Sequence, residues 1–269
     1  MESARSAGLR RRRARAAAGW RIHSLEAALT HLVFDAVRPW LAVGRTLEGL
    51  NAAAEQRGLK TESGRLLRFV PPASVDRYYE VSVYETGCVA TRVDSLHDWF
   101  NALAWLAFPR TKARINAMHA AEIPREREKS GGRRGRLRDL LTILDEGGAL
   151  VACDDAELVA LLRGLRWSEL FWERRARVLQ SMRFLVFGHA VLEQALEPRP
   201  GITCKVLFVN PGLDPDAQAA AWLQALPLGA SPRELAPLPV FGYPGWLPGS
   251  AQAEFYDDTR VFRGPAGVK

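Results

Sequence analysis

The chain has 269 residues, 48% of them hydrophobic and 25% charged, with eight Trp and eleven Phe, enough apolar material to bury a sizeable core. No run approaches the roughly 18 apolar residues that a membrane-spanning helix needs. The three cysteines, Cys88, Cys153 and Cys204, are too scattered for a disulfide framework or a metal-ligand pair, so a reducing, cytoplasmic setting is expected. The formal charge of +7 is concentrated in two stretches: residues 1–21 hold seven Arg against one Glu, and residues 125–138 hold seven Arg or Lys against two Glu. The remainder is mildly acidic, and no recognition motif accompanies the basic runs, which argues against nucleic acid as a partner.

Residues 1–21, rich in Arg and Ala with little apolar periodicity, read as a basic disordered arm preceding a single globular domain over 22–269. Leu25, Leu29, Leu32 and Val33 recur at helical spacing between a Ser24 cap and Pro39, which predicts a helix over 24–38. A second helix is predicted over 46–56 and a strand over 66–70, broken by Pro71-Pro72. Tyr79, Val81 and Val83 alternate with Glu80, Ser82 and Tyr84 before Glu85-Thr86-Gly87, predicting a hairpin over 78–92. Ser95 then opens a helix that stops at Phe108-Pro109, where another begins. Residues 140–144 and 149–153 flank Asp145-Glu146-Gly147-Gly148 and predict a second hairpin. Asp154 and Glu157 stand in capping-box spacing before a further helix. Residues 167–197 read as mostly helical, 203–209 as a strand, and Asp214-Pro215 as the start of a last helix. The fold class expected is therefore α+β: helix-rich, with a small, mostly antiparallel sheet of hairpins.

The chemistry-bearing residues concentrate in TRVDSLHDWFNALAWLAFPRTKARINAMH, residues 91–119. His97 and Asn101 share one face of the first helix; Lys112, Asn116 and His119 share one face of the second. Ser95 and Asp98 are in capping-box spacing, so Asp98 is equally a cap partner or a site residue. Asn101 and Asn116 could instead hydrogen-bond across the helix pair while Lys112 points to water. His189 is the strongly polar residue of the apolar run 184–192, which implies a buried ring satisfied by Glu193, one turn on, or by a backbone carbonyl. Arg138 suits a carboxylate or phosphate, and Asp257-Asp258 are expected to pair with Arg260 and Arg263.

Several of these segments, HDWFNALAWLAFPRTKARINAMH, GRLRDLLTILDEGG, FGHAVLE, PLPVFGYPGW and FYDDTRVFR, resemble the bacterial family DUF3025, a domain of unknown function, over roughly residues 30–263. The resemblance implies a bacterial source and a single domain, and supplies no reaction. No G-x-S-x-G, Walker loop, G-x-G-x-x-G or C-x-x-C is present, which disfavours serine-hydrolase, P-loop, dinucleotide-binding and zinc-ribbon chemistry.

The residues themselves support a hydrolase or transferase acting on a small anionic substrate. His97, Asp98, Asn101 and His119 would form its catalytic group, and Arg92, Lys112, Asn116 and Arg138 would hold the substrate. One divalent metal ion could sit on His97, His119, His189 and Glu193. The alternative is a non-catalytic binding or scaffold protein meeting an acidic partner or RNA through its basic segments. The two are separated by whether the histidines converge near a carboxylate.

Overall fold

Ser24 caps a helix of little more than one turn, α1 (Leu25–Leu29), and not the helix expected to run to residue 38. Arg38 explains the break: its guanidinium gathers the carbonyls of Leu29, Thr30 and His31, which a continuing helix would have used itself. The chain advances instead through 3-10 turns at Leu32–Phe34 and Arg38–Val43. The computed structural model describes residues 24–74, 78–130, 134–227 and 229–265; the arm expected over 1–21 lies outside them.

Thr46 caps α2 (Leu47–Gln56) as anticipated. The Asn51 amide on α2 exchanges two hydrogen bonds with the backbone of Phe69 and so fixes β1 (Arg68–Val70). Residues 78–92 are not a hairpin. They form a helix, α3 (Tyr79–Thr86), ended by a left-handed Gly87, and a strand, β2 (Cys88–Ala90), that pairs parallel with β1. The glycine is required here twice over, by φ 76° and because a Cβ would lie 2.1 Å from the Leu66 carbonyl oxygen.

Ser95 accepts from the Asp98 N–H to start α4 (Leu96–Ala107), which is buried almost all round; α5 (Pro109–Ser130) follows with Pro as its first residue. The start of α5 is capped from a distance. Buried Asp216 accepts from the N–H groups of Arg110 and Thr111 at 2.9 and 2.8 Å.

The second expected hairpin is also corrected. Leu137, Leu140, Leu141 and Leu144 lie on a helix, α6 (Arg136–Gly147), that passes at Gly148 directly into β3 (Gly148–Ala152). Asp155, one residue beyond the anticipated cap, opens α7 (Ala156–Arg163). The stretch expected to be mostly helical is split: α8 (Arg175–Ser181) gives way to β4 (Arg183–Val186) before α9 (His189–Gln194). The strand at 203–209 is β5 (Thr203–Val209), followed by α10 (Pro215–Gln224) and β6 (Ala236–Pro239).

The larger sheet has strand order β4-β3-β5-β6. Its two outer pairings are antiparallel and the central β3–β5 pairing is parallel, so the fold is α+β, with strands contributed through helical crossovers rather than hairpins. Every residue of β3 is buried, and its two faces belong to different cores. Ala149 and Val151 join a large aromatic-rich cluster that includes Phe100, Phe171, Phe184 and Trp246. Leu150 and Ala152 join a second cluster, with Leu140 and Leu144 of α6 and Leu223 of α10. Among the described residues, no helix is long and apolar enough to cross a membrane.

Candidate functional site

A close approach of two glycines builds the site. Gly148, where α6 becomes β3, meets Gly188, where β4 becomes α9: the Gly188 N–H donates to the Gly148 carbonyl at 2.8 Å. A Cβ on Gly188 would lie 2.4 Å from Gly148 N and 2.7 Å from the Glu146 carbonyl oxygen. This contact sets the C-terminal turn of α6, carrying Asp145 and Glu146, beside His189 at the start of α9. Helix α4 packs across α9 and adds His97.

The rings of His97 and His189 meet edge to face, 4.5 Å between centroids at 78°. One ligating atom from each of His97, His189 and Glu146 lies within 4.8 Å of the others. In both rings Nδ1 is engaged: that of His97 by the Glu193 carboxylate at 2.9 Å, that of His189 by the Asp145 backbone carbonyl at 3.0 Å. A carbonyl only accepts, so His189 carries its proton on Nδ1 and leaves Nε2 as a free lone pair. Burial is the main reason that the His189 pKa falls to about 4, with Lys112 and His97 lowering it further and Asp145 opposing; the ring is neutral at pH 7. Glu146 is exposed, and among the described residues its carboxylate makes no ion pair. His97 and Glu193 are 37% and 43% exposed, so this end of the cluster opens to solvent.

Inward from the histidines runs a buried polar seam. Lys112 does not point to water: its Nζ donates to Asp145 Oδ1 at 2.5 Å and to Asn101 Oδ1 at 2.8 Å, and its side chain is 3% exposed. Burial works against the Asp145 carboxylate, but Lys112, His189 and His119 together hold its pKa below the usual range. Asn101 passes the chain on, donating from Nδ2 to the Tyr79 hydroxyl at 3.0 Å. Asn116 does not reach Asn101; it donates to the Glu80 carbonyl and carboxylate at 2.9 and 2.7 Å. Burial, and then the Asp145 charge, raise Glu80 to about 7 against the pull of Asn116, Lys112 and Arg138.

The remaining expected site residues lie apart from the histidine pair. Asp98 accepts from the backbone N–H and the guanidinium of Arg92 at 2.8–2.9 Å, so neither the pair's cation nor its anion reaches an imidazole. Burial opposes ionisation of Asp98, yet the Arg92 bonds keep its pKa low. His119 does not join the other two histidines. It accepts on Nδ1 from Arg138 Nε at 3.4 Å, while the same guanidinium is paired with Glu126 at 2.7 Å. Burial, helped by Arg138, Arg134 and Lys112, lowers the His119 pKa to about 4, which leaves it neutral. Glu193 serves His97 as a hydrogen-bond partner and is not a member of the close three-residue set. The basic stretch around residue 130 is also largely compensated where described: Arg125, Arg134 and Arg138 pair with Glu122, Asp139 and Glu126. Asp258 pairs with Arg260.

Sequence reasoning passed over four residues of this region: Tyr79, Glu80, Asp145 and Glu146. The alternation of residues 79–84 reads as a strand and Asp145-Glu146-Gly147-Gly148 as a turn. The helical spacing of Leu137, Leu140, Leu141 and Leu144 was the signal that could have put Asp145 and Glu146 on a helix end.

The family model of a protein of unknown function, DUF3025, matches residues 67–265, and the chain belongs to that family. No curated protein and no solved structure matches it.

Proposed function

We propose that this DUF3025 protein is a metal-assisted hydrolase or transferase of the cytoplasm, acting on a small anionic substrate at the mouth formed by α4, α6 and α9. The observation that carries the reading is the convergence of His97, His189 and Glu146, with both Nδ1 atoms already held by acceptors. Two imidazoles oriented through Nδ1, plus a carboxylate, form a donor set suited to zinc or a similar divalent ion, with positions left open for water and substrate. A tetrahedral zinc wants its ligands about 3.3 Å apart, closer than the 4.8 Å within which the three atoms lie, so binding would draw the three side chains together, and exposed Glu146 is free to rotate.

Charge supports the same reading. Asp145, Glu146 and Glu193 outnumber Lys112 around the histidine pair, while Arg92 and Arg138 are occupied by Asp98 and Glu126. The attraction for an anion would therefore come from the metal and not from arginine. A bound divalent ion supplies a water acidified toward neutral pH and polarises the substrate oxygen. Glu193 and the Asp145 carbonyl keep the imidazoles in place. The three free cysteines fit a reducing compartment.

The test is turnover of p-nitrophenyl phosphate and p-nitrophenyl acetate by protein stripped with a chelator and reloaded with zinc. Turnover that follows zinc content and disappears in His97→Ala and Glu146→Gln is the expected result. Zinc-loaded protein inert toward both esters contradicts the enzymatic reading.

A further inference from the structure

We infer that the cleft between the start of α5, the start of α10 and the loop after α2 is a second binding site, for a small phosphate monoester with an apolar body. It stands apart from the histidine pair and does not rest on the metal reading. His97 and Ala107 are ten residues apart on α4, about 15 Å along the helix axis, and it is Ala107 that lines the cleft. The cleft holds about 580 Å³, inside the range of roughly 300–1,000 Å³ usual for small-molecule sites. That is more room than a bare anion fills. It opens to solvent, with the Arg110 side chain on its border 62% exposed.

Charge selects the ligand. Arg57, Lys60, Arg110 and Arg114 border the cleft, against the carboxylates of Glu62, Asp214 and Asp216. Two of those carboxylates are spent on backbone. Asp216 accepts from the first N–H groups of α5 and Asp214 from those of α10, each at the positive end of its helix. Asp214 also takes the Arg110 guanidinium at 2.7 Å. Glu62 Oε1 lies 2.7 Å from Arg114 Nε, but the Nε hydrogen is not directed at it and finds no other acceptor. Arg57 and Lys60 meet no carboxylate among the described residues. Arg57 donates to the Leu106 carbonyl and lies over the Trp40 ring at 4.7 Å; the exposed Lys60 ammonium has no partner there. Two cations without a carboxylate suit the dianion of a phosphate, whose several oxygens a guanidinium and an ammonium can share. Leu59, Pro109 and Ala113 give the cleft an apolar wall for the rest of the molecule.

Benzylphosphonate, which carries the dianion on a benzyl group and has no ester to cleave, is the probe. It is titrated calorimetrically into chelator-treated and zinc-loaded protein. Chelator-treated protein is expected to bind one molecule per chain, and His97→Ala to bind it equally well. Lys60→Gln removes a charge from an exposed, unpaired side chain, so the fold stays as it is. Ala220→Leu keeps every charge and narrows the cleft from the α10 side. Each variant is expected to bind about tenfold more weakly, with an unchanged melting temperature. Inorganic phosphate, which lacks the apolar body, is expected to bind more weakly than benzylphosphonate. Unchanged affinity in either cleft variant, no uptake by wild type, or inorganic phosphate bound as tightly overturns the assignment. So does uptake that needs zinc and is lost in His97→Ala, which would put the phosphonate at the histidine pair. Protein that binds no zinc, yet takes up the phosphonate and loses it in Lys60→Gln and Ala220→Leu, keeps this site and sinks the metal reading alone.

Discussion

The imidazole of His97 abuts that of His189 edge-on at 4.5 Å, and the contact depends on a glycine that touches neither ring. Gly188 precedes His189, and its missing side chain lets α9 begin against the end of α6. In Gly188→Ala the new methyl would meet backbone at 2.4 Å, which no rotamer relieves. A loss of roughly 2–3 kcal/mol of stability is expected, measurable by urea denaturation, together with weakened zinc binding as Glu146 is pushed from His189. An alanine variant with wild-type stability and zinc affinity would show that the close approach does not set the site.

The Lys112–Asp145 pair gives a second test. Removing one member leaves a buried charge without its partner, so Lys112→Met should cost about 3–5 kcal/mol. Adding Asp145→Asn to it should restore much of that loss, since no uncompensated carboxylate then remains. Additive losses in the double variant would mean that the two side chains do not share their energy across the 2.5 Å contact.

Glu80 predicts a pH dependence of stability. The unfolded chain releases this proton near 4.5, whereas the folded chain holds it to about 7. Folding thus takes up a proton between those values, and the contribution of Glu80 to stability falls as pH rises through that window. Glu80→Gln, which keeps an acceptor for Asn116, should remove the slope and exceed wild type by about 3 kcal/mol above pH 7. The comparison is the wild-type-minus-variant difference in unfolding free energy at pH 5 and pH 8, because His119, with its lowered pKa, tilts both proteins the opposite way: its contribution is fully present above about 6.5 and lost as pH falls toward 4. A difference that does not change between the two pH values rules out the raised Glu80 proton.

Helices with a cap and a stop were legible in the sequence. Thr46, Ser95 and Asp214 open helices where they stand, and the break at Phe108-Pro109 separates α4 from α5, because side-chain capping and the missing proline N–H act locally. Short elements were not. The alternation of Tyr79, Val81 and Val83 fits a strand as well as a two-turn helix, and packing of α3 against α5 decides for the helix. Asp145-Glu146-Gly147-Gly148 reads as a hairpin turn until the leucines before it are seen to be buried at helical spacing. β4 lies in an apolar run whose periodicity cannot separate strand from helix; its pairing with β3 is a long-range fact. The site followed the same division. His97, His189 and Glu193 drew attention by residue type, whereas Glu146 joins them only through the approach of Gly148 and Gly188, which no local pattern records.

The measurement that bears most directly on the account is the zinc stoichiometry and affinity of purified, untagged protein, by elemental analysis and competition with a chelating dye. Wild type is compared with His97→Ala, His189→Ala, Glu146→Gln and His119→Ala. One zinc per chain is expected in wild type and in His119→Ala, and its loss in the other three with folding retained. Zinc that persists in His97→Ala or His189→Ala, or that depends on His119 instead, would contradict it.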